Sequence, residues 1–373
     1  MLPFEMVAKG LEGAFSEIST EKDRVRPLWI RMLADAKLQS FAAKTPILRR
    51  LVRKDQRRIF DLMVGFAYSQ ALYAAVQIDL FDQVLYEAKD PRDITGLSAE
   101  AASLLCRALA GLNLLKERRD GRFTITRQGA LVETVPGLKT MILHHAVLYR
   151  DLADPLAVLE GNAETEMSEF WPYVFGATDR PVSGEEAALY SQVMTDTQSL
   201  VAREVLSNVS FAQSRRLLDV GGGTGTFASH VASDYPSVEC TIFDLPNVVD
   251  QCDAFKSHPG NFREDPLPQG YDTISLIRIL FDHRDETATA LLTKVYSVLP
   301  DSGRLVIAEP MAGNTQPSPE GDAYYALYTR AMKTGKTRRP SEISDLLSKA
   351  NFKNITVYPD RAPSVARVMS AEK

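Results

Sequence analysis

The strongest constraint on the fold is residues 217–227, where a short apolar run ends in alternating glycines. Gly221, Gly223 and Gly225 follow a strand-like run, and a helical pattern begins directly after them. Glycine lets the backbone approach a ligand closely, and the start of a helix offers free N–H groups. The sequence therefore predicts a ligand-binding turn between a strand and a helix, as in α/β nucleotide-binding folds.

Two acids flank this turn and restrict its ligand. Asp219 directly precedes the glycines, where it would repel a pyrophosphate, and no Lys-Ser/Thr pair follows them as in nucleoside triphosphatases. Asp244 lies nineteen residues after Gly225, at the end of the next predicted strand, where an acid accepts hydrogen bonds from ribose hydroxyls. A site with one carboxylate for a cationic group and one for a ribose fits S-adenosylmethionine better than it fits NAD.

Strand-like and helical segments alternate through the C-terminal half of the chain. Strands are predicted at 216–220, 238–244, 273–280 and 304–308, and helices at 226–235 and 286–298. This alternation predicts an α/β fold with a parallel, doubly wound sheet. Residues 354–358 and 364–369 predict an antiparallel hairpin that closes the sheet.

The N-terminal half reads as helical, with one hairpin that turns at Asp120 and Gly121. We interpret it as a winged-helix, otherwise all-α domain, within a chain of four parts. These parts are a basic extension (1–58), the winged-helix domain (59–140), a helical connector that covers the active site (141–206) and a Rossmann-like catalytic domain (207–373). The chain has 48 acidic against 43 basic residues, and the helix predicted at 101–115, which would be the recognition helix, has Arg107 as its one charged residue. Nucleic acid is therefore not an expected partner.

Composition favours a protein of the cytoplasm. Three widely spaced cysteines fit a reducing compartment and argue against disulfides or a structural metal site. A signal peptide is not expected, and no uninterrupted apolar stretch is long enough to span a bilayer. The second half of the extension is basic, with apolar residues between its cations. It is either a solvated or dimer-contacting helix face, or a segment that rests peripherally on an anionic membrane surface.

With these motifs the chain resembles the class I S-adenosylmethionine-dependent O-methyltransferases that act on small molecules in plants and bacteria. The resemblance runs from about Phe60 to the C-terminus; residues 217–227 match the family's first cofactor motif, and Asp244 and Leu245 match its ribose motif. It implies S-adenosyl-L-methionine as cofactor, S-adenosyl-L-homocysteine as product, no metal, and a homodimer formed through the N-terminal winged-helix domain.

The resemblance also implies the remaining cofactor contacts. Residues 260–268 match the family's adenine-side motif, where Asn261 replaces an acid and Phe262 is expected to lie on the adenine. The side-chain carbonyl of Asn261 still offers an acceptor for the adenine amino group. Met194 stands where the family places a methionine against the cofactor, and Arg278 is a further candidate for cofactor binding.

Within the family, the chain is most similar to the purple-bacterial enzymes that methylate hydroxyneurosporene or demethylspheroidene in carotenoid biosynthesis. The likeness rests on residues 170–177, on residues 278–283, and between them on Tyr190, Ser191, Met194 and residues 200–202. It implies in-line methyl transfer to the hydroxyl of a hydrophobic carotenoid. The substrate-side candidates are Trp171, Tyr173, His144, His145, Phe281 and Tyr325. The alternatives are another bulky pigment or polyketide, such as a bacteriochlorophyll precursor or an aromatic antibiotic, or a cofactor-binding winged-helix regulator without activity.

The general base is the point at which the chain departs from the family. Many members carry His-Asp-Trp after the fourth strand, where this chain has Phe281, Asp282 and His283, so Phe281 takes the position of the base. His283 is the first candidate for the base, with Glu309 as the acid that orients it.

Other assignments stay open at this position. His144 or His145 could supply the base, or the enzyme could work without a dedicated one. Glu309 could instead pair with Arg278 or Arg304. The departure suggests a substrate hydroxyl less acidic than a phenol, which depends more on positioning and on a dry pocket.

Overall fold

The computed structural model describes residues 46–170, 197–361 and 366–373. The chain divides into two compact units, Met1–Ala71 and Leu72–Lys373. The second unit contains the predicted connector and the predicted catalytic domain. It also contains the winged-helix segment from residue 72 onwards. The domain boundaries at residues 58, 140 and 206 stay predictions.

Helix α1 spans Pro46–Gln77 and carries an exposed apolar face. Four side chains that share this face by their helical spacing are 64–73% exposed: Ile59, Leu62, Met63 and Phe66. Within α1, the segment Arg53–Gln77 is long and apolar enough to cross a membrane by length and composition alone, with a mean hydropathy of 1.4. This corrects the expectation that no such segment exists; serine, glycine and tyrosine interrupt its apolar residues, so it does not stand out as a run.

The predicted winged helix is present in the second unit. Its elements are α2 Leu80–Gln83, a 3₁₀ turn Pro91–Asp93, α3 Ala99–Gly111, β1 Leu115–Glu117, β2 Phe123–Ile125 and α4 Arg127–Thr134. The hydroxyl of Ser98 accepts the N–H of Ala101 and caps α3. Helix α3 ends earlier than predicted because Asn113 takes a left-handed φ of 60°.

Helical segments follow, as predicted for the connector. They are α5 Leu138–Asp151, α6 Pro155–Glu160, α7 Glu166–Phe170 and α8 at residues 197–208. Asp151 fixes the start of α7, because its carboxylate accepts the N–H groups of Glu166 and Met167 at 2.7 and 2.9 Å. This contact joins the end of α5 to the start of α7.

The catalytic half contains a seven-stranded sheet with the order β5-β4-β3-β6-β7-β9-β8. The strands are β3 Arg216–Val220, β4 Glu239–Asp244, β5 Lys256–Pro259, β6 Thr273–Ile277, β7 Arg304–Glu309, β8 Lys353–Val357 and β9 Arg367–Glu372. Strands β3 to β7 are parallel, and β9 runs antiparallel between β7 and β8, which confirms the predicted sheet and its closing hairpin. Chain order reverses between β3 and β6, and sheets of this kind bind ligands at the carboxyl edge of such a point.

Helices pack on both faces of this sheet. The helical elements after β3 are α9 Thr226–Asp234, α10 Pro246–Val249, a 3₁₀ turn Leu280–Asp282, α11 Asp285–Val298, a π-helical turn Pro319–Tyr325, α12 Ala326–Ala331 and α13 Pro340–Lys349. Neighbouring residues of β3 serve opposite faces: Leu217 belongs to the apolar cluster of α8 and α9, and Leu218 to that of α11 and α13. Each such buried leucine contributes about 1.5–3 kcal/mol to stability.

The edge strand β5 is not predicted by the sequence. Its four residues, Lys-Ser-His-Pro, are mostly exposed and lack apolar alternation. The strand forms because it pairs in parallel with β4, a contact that local sequence does not encode.

Candidate active site

The glycine turn, residues 221–225, joins β3 to α9 at the carboxyl edge of the sheet. Gly221, Gly223 and Gly225 take positive φ angles of 71°, 59° and 88°, which explains why glycine occupies each position. A side chain on Gly221 would collide with that of Ile279, in the segment after β6. The glycine turn is thereby packed directly against the segment that also carries Phe281.

Asp219, on β3, has a buried carboxylate with one unpaired oxygen. Its Oδ1 accepts a 2.6 Å hydrogen bond from the Ser275 hydroxyl, whereas Oδ2 has no hydrogen-bond partner. Burial raises the pKa of this carboxyl to about 7. A Cβ on Gly222 would lie 2.6 Å from Oδ2, so the missing side chain keeps the space beside this oxygen clear. A cationic group is the ligand that such a carboxylate favours.

Asp244, at the end of β4, holds the glycine turn and also offers acceptors. Its Oδ2 accepts the N–H of Gly223 at 2.8 Å, and its Oδ1 accepts the N–H of Leu245 at 2.7 Å. Burial raises the pKa of this carboxyl, and the two N–H groups partly offset the effect. Each oxygen retains a lone pair, so the carboxylate can accept from two further hydroxyls.

The adenine-side loop, residues 261–265, is held by hydrogen bonds of its own and by one lysine. The side-chain oxygen of Asn261 accepts the N–H of Arg263 at 3.0 Å. The ammonium of Lys294 lies 2.8–3.0 Å from the carbonyl oxygens of Phe262, Arg263 and Asp265. Sequence reasoning did not find Lys294, which fixes the loop that presents Asn261 and Phe262.

His283 lies against the adenine-side loop. Its Nδ1 is 3.0 Å from Nη2 of Arg263, and its ring meets that of Phe262 edge-on, with 5.3 Å between the centroids. Burial, with the positive charges of Arg263 and Arg338, lowers the pKa of His283 to about 3. The imidazole is therefore neutral and is engaged on the adenine side.

Arg338 holds the segment between β6 and α11. Fully buried, it donates to the carbonyl oxygens of Leu280 and His283 at 2.8 and 2.7 Å, and its Nε lies 2.8 Å from Asp285. No role for Arg338 was evident from the sequence. It fixes the backbone on which Phe281 and His283 stand.

Glu309 contacts the backbone of the base position, not His283. Its carboxylate, fully buried at the end of β7, accepts the N–H of Phe281 at 3.1 Å. Burial raises the pKa of Glu309 to about 7, although the charge of Arg338 acts in the opposite direction. Within the described part of the chain, no hydrogen bond joins Glu309 to His283.

Arg278 follows β6 in a strained conformation, with a φ of 62°. Its N–H donates to the carbonyl oxygen of Ala308 at 2.7 Å, and its Nη1 donates to the hydroxyl of Thr197 at 2.8 Å. Neither Arg278 nor Arg304 forms an ion pair with Glu309 in the described ranges, which corrects the alternative pairing considered for that acid.

A small cavity, called here the acceptor cavity, opens beside Phe281. Its walls are formed by Met141, Arg278, Phe281, Asp282, Tyr324, Tyr325 and Tyr328. Five of these side chains are apolar or aromatic, and burial raises the pKa of the Asp282 carboxyl to about 8. With a volume of about 20 Å³, the cavity has room for one small polar group between mostly apolar walls.

His144 and His145, on α5, contact the tyrosines of the acceptor cavity. The Nε2 atom of His144 lies 2.9 Å from the hydroxyl of Tyr328, and that of His145 lies 2.9 Å from the hydroxyl of Tyr324. Burial lowers the pKa of both imidazoles, that of His144 to about 4. Four predicted substrate-side residues therefore lie at one cavity. Phe281 and Tyr325 line it, and His144 and His145 contact the tyrosines of its wall.

Three predicted site residues, Trp171, Tyr173 and Met194, lie outside the residues that the structure describes. Among those it does describe, no group of three or more His, Cys, Asp or Glu is placed to hold a metal ion. The described site therefore consists of the glycine turn with its two acids, the adenine-side loop and the acceptor cavity.

The sequence profile of the O-methyltransferase domain family matches residues 149–353. This range is more than half of the chain and includes the glycine turn, the adenine-side loop and nearly all of the acceptor cavity. The chain belongs to this O-methyltransferase family. The resemblance and the enzyme class expected from the sequence are confirmed, as is a small molecule as the kind of substrate.

Two demethylspheroidene O-methyltransferases resemble this methyltransferase over most of its length. That of Cereibacter sphaeroides is 43% identical over 92% of this chain and 94% of its own, and that of Rhodobacter capsulatus is 42% identical over 92% and 88%. The crystal structure of human N-acetylserotonin methyltransferase, a complex with S-adenosylmethionine, has a TM-score of 0.73 at 25% identity, covering 86% of this chain and 97% of the human one. The predicted Rossmann-like methyltransferase fold is confirmed.

The roles assigned to single residues of the methyltransferase stay predictions. The structure brings the proposed cofactor residues Asp219 and Asp244 to the two sides of one glycine turn. It separates Glu309 from His283, whose ring is engaged by Arg263. This geometry does not favour His283 as the base.

Proposed function

We propose that this methyltransferase transfers the methyl group of S-adenosylmethionine to the hydroxyl of a hydroxylated carotenoid of the hydroxyneurosporene or demethylspheroidene type. The observation that carries the proposal is the 42–43% identity to two demethylspheroidene O-methyltransferases over 92% of the chain. Identity to the human acetylserotonin enzyme is only 29% over 80% of the chain, which favours the carotenoid over a small indole.

The residues of the glycine turn fit the proposed cofactor. The unpaired Oδ2 of Asp219 suits a cationic group of the methionine part, and Asp244 suits the ribose hydroxyls. Phe262 and Asn261 of the adenine-side loop suit the face and edge of the base. When bound, the sulfonium supplies an electrophilic methyl carbon; the protein aligns it with the nucleophile, and alignment is worth about 7–11 kcal/mol of the barrier.

The acceptor cavity has room for the hydroxyl end of an apolar substrate. Met141, Phe281 and three tyrosines line it, and these side chains exclude water from a reacting oxygen. The same segment that carries Phe281 packs on Gly221 through Ile279. A hydroxyl held in this cavity would therefore lie close to a cofactor held on the glycine turn.

The proposal is tested by incubating the purified full-length chain with methyl-labelled S-adenosylmethionine and hydroxyneurosporene in detergent micelles. We expect label in the organic phase, as a methyl ether that chromatography and mass spectrometry identify. Neurosporene, which lacks the hydroxyl, is the matched control and should take up no label. Label transferred to N-acetylserotonin or to a bacteriochlorophyll precursor, but not to the carotenoid, would overturn the substrate assignment.

We further propose that two copies of the chain associate through the exposed apolar face of α1. Ile59, Leu62, Met63 and Phe66 lie on one side of the helix, and an apolar stripe of this spacing suits pairing with a second helix. Leu62→Asp should convert a dimer into a monomer in analytical ultracentrifugation, whereas Arg57→Asp, an exposed position on the opposite face of the same helix, should not. A monomeric wild type would contradict this dimer.

We also propose that the enzyme is cytoplasmic and binds membranes peripherally. The cations Arg53, Lys54, Arg57 and Arg58 are exposed on α1, and each cation near anionic headgroups is worth about 1 kcal/mol. The protein should float with vesicles that contain an anionic lipid, and less so when these four residues are changed to glutamine. Equal flotation with neutral vesicles would contradict an electrostatic contact.

A further inference from the structure

The methyltransferase has no titratable side chain at the position where its family carries the base. Phe281 fills that position, and His283 is engaged by Arg263. Methyl transfer to a hydroxyl nevertheless releases a proton, which needs an acceptor within hydrogen-bond reach. The following inference rests on the proposed function and concerns where that proton goes.

Tyr324 is a wall of the acceptor cavity and is backed by a histidine. Its hydroxyl lies 2.9 Å from Nε2 of His145, and the two rings are 5.5 Å apart between centroids. Phe281 and Met141 line the same cavity. Tyr324 therefore lines the space proposed for the substrate hydroxyl, and its own hydroxyl is paired with an imidazole.

The direction of the Tyr324 proton depends on the tautomer of His145. The Nε2 atom of His145 faces the hydroxyl of Tyr324, and the backbone of Met141, one turn earlier in α5, favours the protonated imidazole. We therefore infer that the proton of the neutral ring lies on Nδ1, the nitrogen that does not face Tyr324. A neutral imidazole has one N–H, so Nε2 is an acceptor and receives the proton of Tyr324.

This direction leaves the oxygen of Tyr324 as an acceptor toward the cavity. The hydroxyl has one proton, and the imidazole nitrogen is a much stronger acceptor than the sulfur of Met141, which lies 4.0 Å away. The lone pairs of the Tyr324 oxygen can then accept the hydroxyl proton of a substrate in the cavity.

We propose that Tyr324 is the catalytic residue that takes the substrate proton, and that His145 receives the proton of Tyr324 in the same step. The substrate oxygen forms a bond to the methyl carbon while the carbon–sulfur bond breaks, and its electron pair stays on sulfur as a thioether. The substrate proton moves to the Tyr324 oxygen, and the tyrosine proton moves to Nε2 of His145. One positive charge is lost at sulfur and one appears on the imidazolium, which the backbone of Met141 favours.

The neighbouring pair of His144 and Tyr328 is less suited to this role. The hydroxyl–imidazole distance is also 2.9 Å, but His144 is only 1% exposed and has the positive charges of Arg278 and of a protonated His145 nearby. Burial and these charges lower its pKa to about 4, whereas the Met141 carbonyl raises the pKa of His145 against the effect of burial. A proton is therefore better accepted at His145.

The test is the single-turnover rate of the full-length enzyme with saturating S-adenosylmethionine and hydroxyneurosporene. Tyr324→Phe should lower this rate about 10²–10⁴-fold while the cofactor Kd stays within about twofold. The matched control is Tyr149→Phe, which removes a phenol oxygen from the other ring beside His145, 6.1 Å away between centroids, and should leave the rate nearly unchanged.

The role of His145 as proton acceptor is tested by chemical rescue. His145→Gly should lose a similar factor in rate and regain at least about tenfold when imidazole is added, because imidazole can enter the space left by the ring. A purely structural histidine would not respond. Should Tyr324→Phe fail to fold, this rescue decides, and its absence overturns the relay. If the wild type did not methylate the carotenoid, the proposed function would be contradicted. If the wild type were active and Tyr324→Phe equally active, only the relay would be contradicted.

Discussion

The Nδ1 atom of His283 lies 3.0 Å from Nη2 of Arg263, and this contact settles the tautomer of the ring. A guanidinium only donates hydrogen bonds, so Nδ1 accepts and the single proton of the neutral imidazole is on Nε2. The one basic nitrogen of His283 is therefore occupied. A histidine in this state supports the adenine-side loop better than it accepts a proton from a substrate.

His283→Ala should accordingly act on cofactor binding more than on turnover. We expect the Kd of S-adenosylmethionine to rise about 2–10-fold, because the edge contact with Phe262 is lost, while kcat stays within about threefold. Calorimetry and steady-state kinetics measure the two effects, with His258→Ala on the exposed strand β5 as the control. A kcat reduced by about 10²-fold or more at unchanged cofactor affinity would restore His283 as the base.

Asp244→Asn should weaken cofactor binding by at least about tenfold. The amide keeps one acceptor but turns an NH₂ group toward either Gly223 or Leu245, whose N–H groups both need an acceptor. Calorimetry on the full-length chain measures the loss, and Asp234→Asn at the exposed end of α9 serves as a charge-matched control. Equal affinity of wild type and variant would show that the ribose does not bind at Asp244.

The affinity for S-adenosylmethionine should increase as the pH rises toward 7 and then level off. Burial raises the pKa of Asp219 to about 7, so below that pH the acid is protonated in the free enzyme. A cation binds the ionised form, so binding releases a proton, and Kd falls by at most about tenfold per pH unit until the group is ionised. Above about pH 7 this carboxyl contributes no further change.

Calorimetry at pH 6.2 in two buffers of different ionisation enthalpy measures the proton released on binding. Asp219→Asn should bind more weakly and release no proton, because it cannot titrate. Proton uptake by the wild type, or the same release by the variant, would show that the cationic group does not face Asp219.

Arg338→Met should destabilise the enzyme by about 3–5 kcal/mol, the usual cost of breaking a buried charged contact. The change removes the bonds to the carbonyl oxygens of Leu280 and His283 and leaves these acceptors buried. Urea unfolding followed by circular dichroism measures the loss, and Lys349→Met on the exposed face of α13 is the matched control. Equal unfolding midpoints for the two variants would contradict the structural role of Arg338.

The cofactor half of the site was predictable because its signal is local. The glycine turn follows from a strand, alternating glycines and a helix within eleven residues (217–227), and Asp244 from the end of the next strand. The roles of Lys294 and Arg338 depend on partners 32 and 58 residues away in the chain. A cation that caps buried carbonyl groups and one that faces water look the same in sequence.

The acceptor side was harder to predict for the same reason. His145 and Tyr324 are 179 residues apart, so no motif joins them, although both types of residue were visible as candidates. The assignment of Glu309 to His283 followed the family's pattern, and the structure gives that carboxylate to the N–H of Phe281 instead. Backbone N–H groups leave no trace in a sequence, so such a contact cannot be predicted from residue types.

A histidine introduced at position 281, where the family carries its base, should recover part of the methylation rate that is lost with Tyr324. The Phe281 side chain lines the acceptor cavity, and Glu309 lies at its N–H, so an imidazole there would reach the substrate space with a carboxylate nearby. In a Tyr324→Phe background, Phe281→His is expected to raise the single-turnover rate at least about tenfold, the lower part of the range that a positioned base supplies. Phe281→Leu in the same background controls for the change in cavity size and should give no gain. If the histidine and leucine variants were equally slow, position 281 would not reach the substrate hydroxyl, and the cavity beside it would not be the site of methyl transfer.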